Sequence, residues 1–425
     1  MKMLEKKKPA VPRLRFPEFR DAGPWEVRTI EDLSERIAQG GTPKTSVSAY
    51  WNGEIPWITP AEMGNDAEHH HTEKTARSIS AEGLRNSSTE LLPVNSVIIS
   101  SRAPIGYVTI NTVEMATNQG CKGIVPKNGV SHEFLYFSLL RANARLNVLG
   151  AGAGFKEISA ATLRSFEVPT PTFTEQQKLA DCLGSLDDLT RAEEARLGAL
   201  KDHKRGLMQR LFPREGETTP RLRFPEFRNA GPWEVRTIED LSERIAQGGT
   251  PKTSVSAYWN GEIPWITPAE MGNDAEHYHT EKTARSISAE GLRNSSTELL
   301  PVNSVIISSR APIGYVTINT VEMATNQGCK GIVPKNGVSH EFLYFSLLRA
   351  NARLNDLGAG AGFKEISAAT LRSFEVPTPT FTEQQKIADC LTSLDDLIRA
   401  QAEKIEALKQ HKKGLMQQLF PQEVG

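Results

Sequence analysis

Internal repetition constrains this chain more than any other feature. Pro12–Pro213 align without a gap on Pro220–Pro421 at a constant offset of 208, with 15 differences in 202 positions and therefore 187 identities. That period is far longer than the 20–50 residues of solenoid units, so each copy is a domain-sized body. Two equal bodies in one chain predict pseudo-twofold symmetry. A target that presents one feature twice in opposite orientation, such as an inverted repeat in duplex DNA, would be met equally by both. Three differences (Asp21/Asn229, His70/Tyr278 and Val148/Asp356) precede Lys178, and the other twelve fall between Leu179 and Arg210 and their counterparts.

Composition narrows the class. With 425 residues, 24% charged and 38% hydrophobic, the chain is long enough for several buried cores and is neither disordered nor fibrous in character. Lys plus Arg number 50 against 51 Asp plus Glu, so net charge points to no partner. No stretch approaches the roughly 20 apolar residues of a membrane span. Lys2, Lys6, Lys7 and Lys8 precede no apolar segment, so residues 1–11 are expected to form a flexible basic tail and the protein to be cytoplasmic. Cys121, Cys182, Cys329 and Cys390 form no C-x-x-C pair and are expected to be reduced thiols.

Within one copy the pattern is mixed. Thr29–Ala38 has helical spacing, with Ile30, Leu33 and Ile37 on one face, and stops at Gly40-Gly41-Thr42-Pro43. Strand candidates are 96–101, 107–110, 123–125 and 166–168, each β-branched and bounded by turn residues. Residues 132–149 predict one apolar-rich helix before the turn at Gly150-Ala151-Gly152-Ala153-Gly154. Residues 12–173 and 220–381 are therefore expected to be α+β domains.

A capping-box signature at Thr174 and Gln177, after Pro171, opens an uninterrupted helical pattern to Pro213. The predicted helices occupy 174–213 and 382–421, with a linker at 214–219 and a tail at 422–425. At about 1.5 Å per residue the 38 residues from Thr174 to Leu211, and likewise their counterparts, would span roughly 57 Å. Heptad spacing selects Leu179, Leu183, Leu186, Thr190, Glu193, Leu197, Leu200, Lys204, Leu207 and Leu211 in the first. In the second it selects Ile387, Leu391, Leu394, Ile398, Gln401, Ile405, Leu408, Lys412, Leu415 and Leu419. Asp181, Asp187 and Asp188 precede the midpoint while Lys201, Lys204 and Arg205 follow it, so antiparallel pairing brings opposite charges together. Differences crowd at the midpoint. Residues 193–198 and 401–406 are expected to have diverged as a pair, favouring association within the chain.

Catalytic constellations are missing from the sequence. It has no phosphate-binding G-x-x-x-x-G-K-[ST], no dinucleotide fingerprint, no G-x-S-x-G, no H-E-x-x-H and no Asn-Pro-Pro-aromatic segment. His69-His70-His71 is the best metal candidate. Adjacent side chains diverge, however, and the second copy keeps only His277 and His279 around Tyr278, so the expectation is no metal and a polar loop facing solvent or DNA. Donor side chains on expected loops are candidate DNA contacts, because Arg and Lys reach guanine edges or phosphates while Asn and Gln pair with adenine. They are Thr42, Lys44, Lys74, Arg77, Arg85, Arg102, Asn118, Gln119, Lys122 and Lys156, and in the second copy Thr250, Lys252, Lys282, Arg285, Arg293, Arg310, Asn326, Gln327, Lys330 and Lys364. Trp25, Trp51, Trp57 and Tyr50 are read as core.

Several segments now combine: Gly40-Gly41-Thr42-Pro43, Tyr50-Trp51-x-Gly53-x-Ile55-Pro56-Trp57-Ile58, Ser101-Arg102-Ala103-Pro104-Ile105-Gly106 and Thr117-Asn118-Gln119-Gly120. Pro169-x-Pro171 then leads to Glu175-Gln176-Gln177-Lys178 and Leu186-Asp187. In this order, twice over, the chain resembles the specificity subunit of type I restriction-modification systems. That resemblance implies two α+β target-recognition domains separated by an antiparallel coiled coil of two long helices, each domain reading half of a bipartite DNA site. It implies no catalysis in this chain and docking of two methyltransferase subunits, with two motor-nuclease subunits in the restriction form. S-adenosylmethionine, ATP and Mg would then belong to those partners, and the complex would methylate adenine and cleave DNA. Family members usually carry dissimilar recognition domains, whereas near-identity here predicts a palindromic bipartite target. Two other classes fit the repeat: a free-standing regulator of an inverted-repeat site, separated by whether a methyltransferase co-purifies, and a tandem scaffold for protein or glycan, separated by salt-dependent duplex binding.

Two outcomes follow. Removing one heptad, about 10 Å of rise, from both helices is expected to shorten the preferred spacing between half-sites by about three base pairs, read by methylation mapping. The excised fragment 1–216 is expected to pair with itself less stably than the two halves pair in the intact chain, as measured by sedimentation and denaturation.

Overall fold

The computed structural model describes residues 9–66, 69–150, 157–272, 278–357 and 365–422. They form two compact units, one of residues 1–195 with 404–425 and the other of residues 196–403. The division cuts both long helices, Phe173–Leu211 and Phe381–Leu419, near their midpoints. Each unit therefore holds one repeat's globular part, the first half of that repeat's helix and the last half of the other's.

In the first unit a sheet has the order Ser34–Gln39, Cys121–Pro126, Val97–Ser100, Val108–Asn111 and His71–Thr72. Its pairings are antiparallel except the last. A second sheet places Trp51–Ile58 between Ser78–Ile79 and Ala116–Thr117, and Glu26–Thr29 pairs with Glu167–Thr170. The second unit repeats every strand at the offset of 208. Helix His132–Arg141 covers the larger sheet with Phe134, Leu135, Tyr136, Phe137 and Leu139 buried, and the architecture is α+β as expected. Among the described residues no helix is long and apolar enough to cross a membrane. All four cysteines are free.

The structure corrects three local expectations. Thr29–Ala38 is one short helix, Ile30–Leu33, followed by the strand Ser34–Gln39. Thr29 and Asp32 close a capping box on the helix, and at Ser34 the backbone becomes extended so that Ile37 can pair with Ile124. The spacing of Ile30, Leu33 and Ile37 fits a turn plus a strand as well as a helix, and cross-strand pairing decides. Residues 132–149 form two helices, His132–Arg141 and Asn143–Leu149, broken at Ala142 (φ −79°, ψ 5°). The break lets the Asn143 and Asn147 amides donate to the Ile105 and Gly106 carbonyls. Residues 151–154 of the expected turn lie outside the described residues.

The third correction is the cap of the long helix. It begins at Phe173, so Thr174 is already its second residue and cannot be the N-cap of a capping box with Gln177. Buried Gln176 donates to the Pro171 carbonyl at 2.9 Å and accepts from the Ser131 N–H at 3.0 Å. Glu175, 1% exposed, takes two 2.7 Å bonds from the Arg15 guanidinium and one at 3.3 Å from the Trp25 indole. These contacts fix the helix to its own globular part.

Heptad positions on both helices are buried or half-buried throughout, as the 4-3 spacing predicts. In the first unit Leu179 and Leu183 enter the main core together with Leu419 and Phe420 from the other repeat. Phe420 stacks on Phe134 at 5.8 Å and meets Trp25 edge-on at 5.8 Å. In the second unit Phe212 does the same with Phe342 and Trp233, beside Ile387 and Leu391. Fully burying such a ring contributes about 1.5–3 kcal/mol, so each core depends on the far end of the other repeat's helix.

The charges pair in antiparallel register. In the first unit Asp187 accepts from Lys412, Glu193 from Lys404 at 2.5 Å and Glu194 from Lys409 at 2.7 Å. In the second unit Asp395, fully buried, accepts from Lys204 at 2.5 Å. Burial pushes the Asp395 carboxyl above its ordinary range, and the opposing pull of the Lys204 ammonium does not cancel this. A pair of this kind sets register more than it adds stability. Lys204→Ala is therefore expected to cost about 3–5 kcal/mol in denaturant unfolding, because it strands a buried carboxylate. The double variant Lys204→Met/Asp395→Leu is expected to recover most of that loss.

Candidate nucleic-acid interface

The loop after Ser34–Gln39 lies against the loop after Ala116–Thr117, and glycine makes the approach possible. A Cβ on Gly40 would sit 1.7 Å from the Asn118 carbonyl oxygen, and one on Gly41 would sit 2.3 Å from Ser88 Oγ. The Gly41 N–H donates to the Thr117 carbonyl at 2.9 Å, and the Thr42 hydroxyl bonds Gln119 Oε1. The sequence signal at 40–43 thus marks a contact between two loops, each carrying candidate residues.

Two tryptophans support this ridge from below. Trp51 and Trp57 are 9% and 3% exposed and meet edge-on at 5.1 Å. Trp57 donates to the Gly41 carbonyl at 2.9 Å and Trp51 to the Lys44 carbonyl at 3.2 Å. Both are core residues, as read from the sequence, and their indole N–H groups also fix the loop that carries Thr42 and Lys44. The Arg77 guanidinium lies 3.6 Å from the Trp51 ring centroid while remaining exposed, a stacked position that keeps its donors outward.

Gly120 links the ridge to the Ser101–Gly106 segment. Its carbonyl accepts from the backbone N–H groups of Ser101 and Arg102 at 2.7 and 3.3 Å. Arg102 donates to Glu157 at 3.0 Å, and Lys122 lies 3.9 Å from the same carboxylate. The structure thereby brings together Thr42, Lys44, Arg77, Arg102, Asn118, Gln119 and Lys122. Arg85 is exposed at the end of helix Ala81–Arg85, and Lys74 is exposed between the short strands His71–Thr72 and Ser78–Ile79. Lys156 and Lys364 lie outside the described residues.

The second unit reproduces these contacts. Thr250 bonds Gln327, Arg285 lies 3.6 Å from the Trp259 ring centroid, and Arg310 donates to Glu365 at 3.1 Å. Lys330 is buried near that carboxylate, while Lys252, Lys282 and Arg293 are exposed and Asn326 is half-buried.

Three expectations change. Lys122 and Lys330 are on central strands, 5% exposed, and burial lowers the pKa of Lys122, so neither is a loop donor. Arg85 and Arg293 end helices. His70 is 1% exposed and packs between Tyr136 and His71, so the reading of His69–His71 as a polar loop facing solvent or DNA fails at its centre. His277 lies outside the described residues. Sequence reasoning missed Glu157, which orients two candidate cations, and Asn52, an exposed non-glycine residue at φ 59° beside a register shift in its strand. The Asn52-Gly53 pair is a turn signal that could have exposed the latter.

Comparison with known proteins follows the same division into repeats. The family described as type I restriction modification DNA specificity domain matches residues 23–202 and again 231–410. The MjaIX type I restriction enzyme specificity subunit of Methanocaldococcus jannaschii is 39% identical over 179 residues, covering 42% of this chain and 41% of that protein. The putative MjaX specificity subunit of the same organism is 25% identical over 413 residues, covering 93% and 92%. In fold, the crystal structure of the type I restriction-modification S subunit from M. genitalium superposes with a TM-score of 0.60 at 14% identity, covering 97% of this chain and all of that one. A chain solved in a study of assembly and conformational transition of the type I R-M system gives 0.58 at 17% identity, covering 94% and 98%. Both repeats carry the family's domain over most of their length, and this chain belongs to the type I restriction modification DNA specificity family.

Proposed function

We propose that this chain is the non-catalytic, DNA-reading component of a type I restriction-modification complex. Each repeat reads one half of a bipartite duplex site, and the half-sites are the same sequence in inverted orientation. The identity of the two candidate reading surfaces carries this proposal. Of the three differences before Lys178, His70/Tyr278 is buried in both units. Asp21/Asn229 and Val148/Asp356 are exposed but lie outside the loops around 40–44, 77, 101–106 and 117–120. Surfaces with the same donors in the same geometry select the same bases.

The antiparallel helices are the docking surface for two methyltransferase subunits, which supply S-adenosylmethionine and the adenine pocket. Two motor-nuclease subunits using ATP and Mg would complete a restriction form. A methyltransferase acting on a base in duplex DNA must extrude it, which fits a division between a reader and a separate catalytic chain.

Single-molecule methylation sequencing of DNA from cells that hold this chain and a partner methyltransferase is expected to return one half-site twice, inverted across a fixed gap. Two unrelated half-sites would refute identical reading. In duplex-binding assays with the reconstituted complex, Arg77→Ala/Arg285→Ala is expected to weaken binding about tenfold or more and to flatten its salt dependence, with melting behaviour retained. Unchanged affinity would remove these arginines from the interface.

A further inference from the structure

A cluster of histidine and carboxylate side chains in the first unit involves none of the candidate DNA-contact residues. His70 Nε2 is 2.6 Å from Glu133 Oε2, and His71 Nε2 is 2.8 Å from Glu133 Oε1. One ligand atom from each of the three side chains lies within 4.8 Å of the others. Adjacent residues usually diverge, but here the two imidazoles are stacked, 4.2 Å apart and 15° from parallel, so both Nε2 atoms reach the same carboxylate. His70 is held on its other face by Tyr136 at 4.1 Å, and its carbonyl accepts the Ile110 N–H at 2.9 Å. Glu133 is fixed in the first turn of a helix capped by Ser131.

An outer layer is also present. His70 Nδ1 faces Asp187 Oδ2 at 3.2 Å, and both atoms are buried and out of line for a regular hydrogen bond. Asp187 is held through its other oxygen by Lys412. A metal-bound histidine characteristically turns its second ring nitrogen to a carboxylate in this way. The His71 and Glu133 side chains are 32% and 24% exposed, which leaves an approach from solvent.

We propose that His70, His71 and Glu133 bind one divalent transition metal ion of the zinc class. Two imidazoles and one carboxylate suit Zn²⁺, Co²⁺ or Ni²⁺ and disfavour Mg²⁺ and Ca²⁺, which prefer oxygen ligands. The ion joins the strand His71–Thr72 to the helix His132–Arg141 and, through Asp187, to the long helix, and it clamps the globular part of this unit to that helix. A fourth coordination position stays open to water.

The second repeat cannot form this site. Tyr278 replaces His70, and its hydroxyl lies 3.0 Å from Thr392, which replaces Gly184. Glu341 accepts instead from Ser339 and lies 2.9 Å from His340. The coupled exchange of His70/Gly184 for Tyr278/Thr392 closes the same junction with a neutral hydroxyl pair, so the chain binds one ion.

The test uses the full chain stripped of metal with a chelator, then titrated with Zn²⁺ or Co²⁺ alone and followed by calorimetry, elemental analysis and cobalt absorption. One equivalent is expected, with the visible bands of a low-coordinate cobalt site and a raised melting temperature of the first unit. His70→Tyr/Gly184→Thr copies a junction that already folds in the second repeat, and it is expected to bind none. Glu133→Gln, which keeps the side-chain shape, is expected to lose at least tenfold in affinity. Failure of the wild-type chain to bind at stoichiometric concentration, or one equivalent retained in His70→Tyr/Gly184→Thr, would overturn the assignment and leave a cluster closed by protons alone.

Discussion

Each globular core is finished by residues from the end of the other repeat's long helix. Leu419 and Phe420 complete the first core and Leu211 and Phe212 the second, and all four are at most 3% exposed. An isolated repeat would lose a ring that stacks on one aromatic and meets another edge-on, and would expose the groove that receives it. Such a loss is a large fraction of the stability of an ordinary domain. Antiparallel pairing of the helices is therefore a condition for folding each unit, and pairing can be specified wherever the two helices touch.

The specification lies in buried charge. Asp187 and Asp395 are 1% and 0% exposed beside the leucine- and isoleucine-rich seam and accept from Lys412 and Lys204. A shift by one turn would leave each carboxylate buried without its ammonium, at a cost of several kcal/mol. The midpoint adds a second level, because Glu193 and Glu194 meet Lys404 and Lys409, whereas the second repeat carries Gln401 and Ala402 at the acidic positions. Two copies of the second repeat would lack these ion pairs, whereas two copies of the first would keep cations at the same positions, Arg196 and Lys201.

The candidate reading surface rests on a different constraint, the close approach of backbones. Gly40 and Gly41 admit contacts that no side chain would allow, and two buried indoles fix the carbonyls of the loop beside them. The exposed donors consequently stand on a rigid base, and the base is the same in both repeats. Rigidity of this kind limits the entropy lost when a loop meets its ligand.

Periodicity and identity in the sequence determined much of this protein. The gap-free repeat, the α+β character of each copy, the length of the two helices and their heptad seam all follow from spacings of 208, 2 and 3.5 residues, which are local or self-comparing signals. Spacing alone could not separate a helix from a turn followed by a strand at Thr29–Ala38, because both bury Ile30, Leu33 and Ile37. Nor could it reveal that Lys122 lies inside a sheet, that Glu157 orients Arg102, or that His70 and His71 stack to face Glu133. Those facts depend on residues about 20 to 85 positions apart, and only tertiary packing brings them within hydrogen-bonding distance.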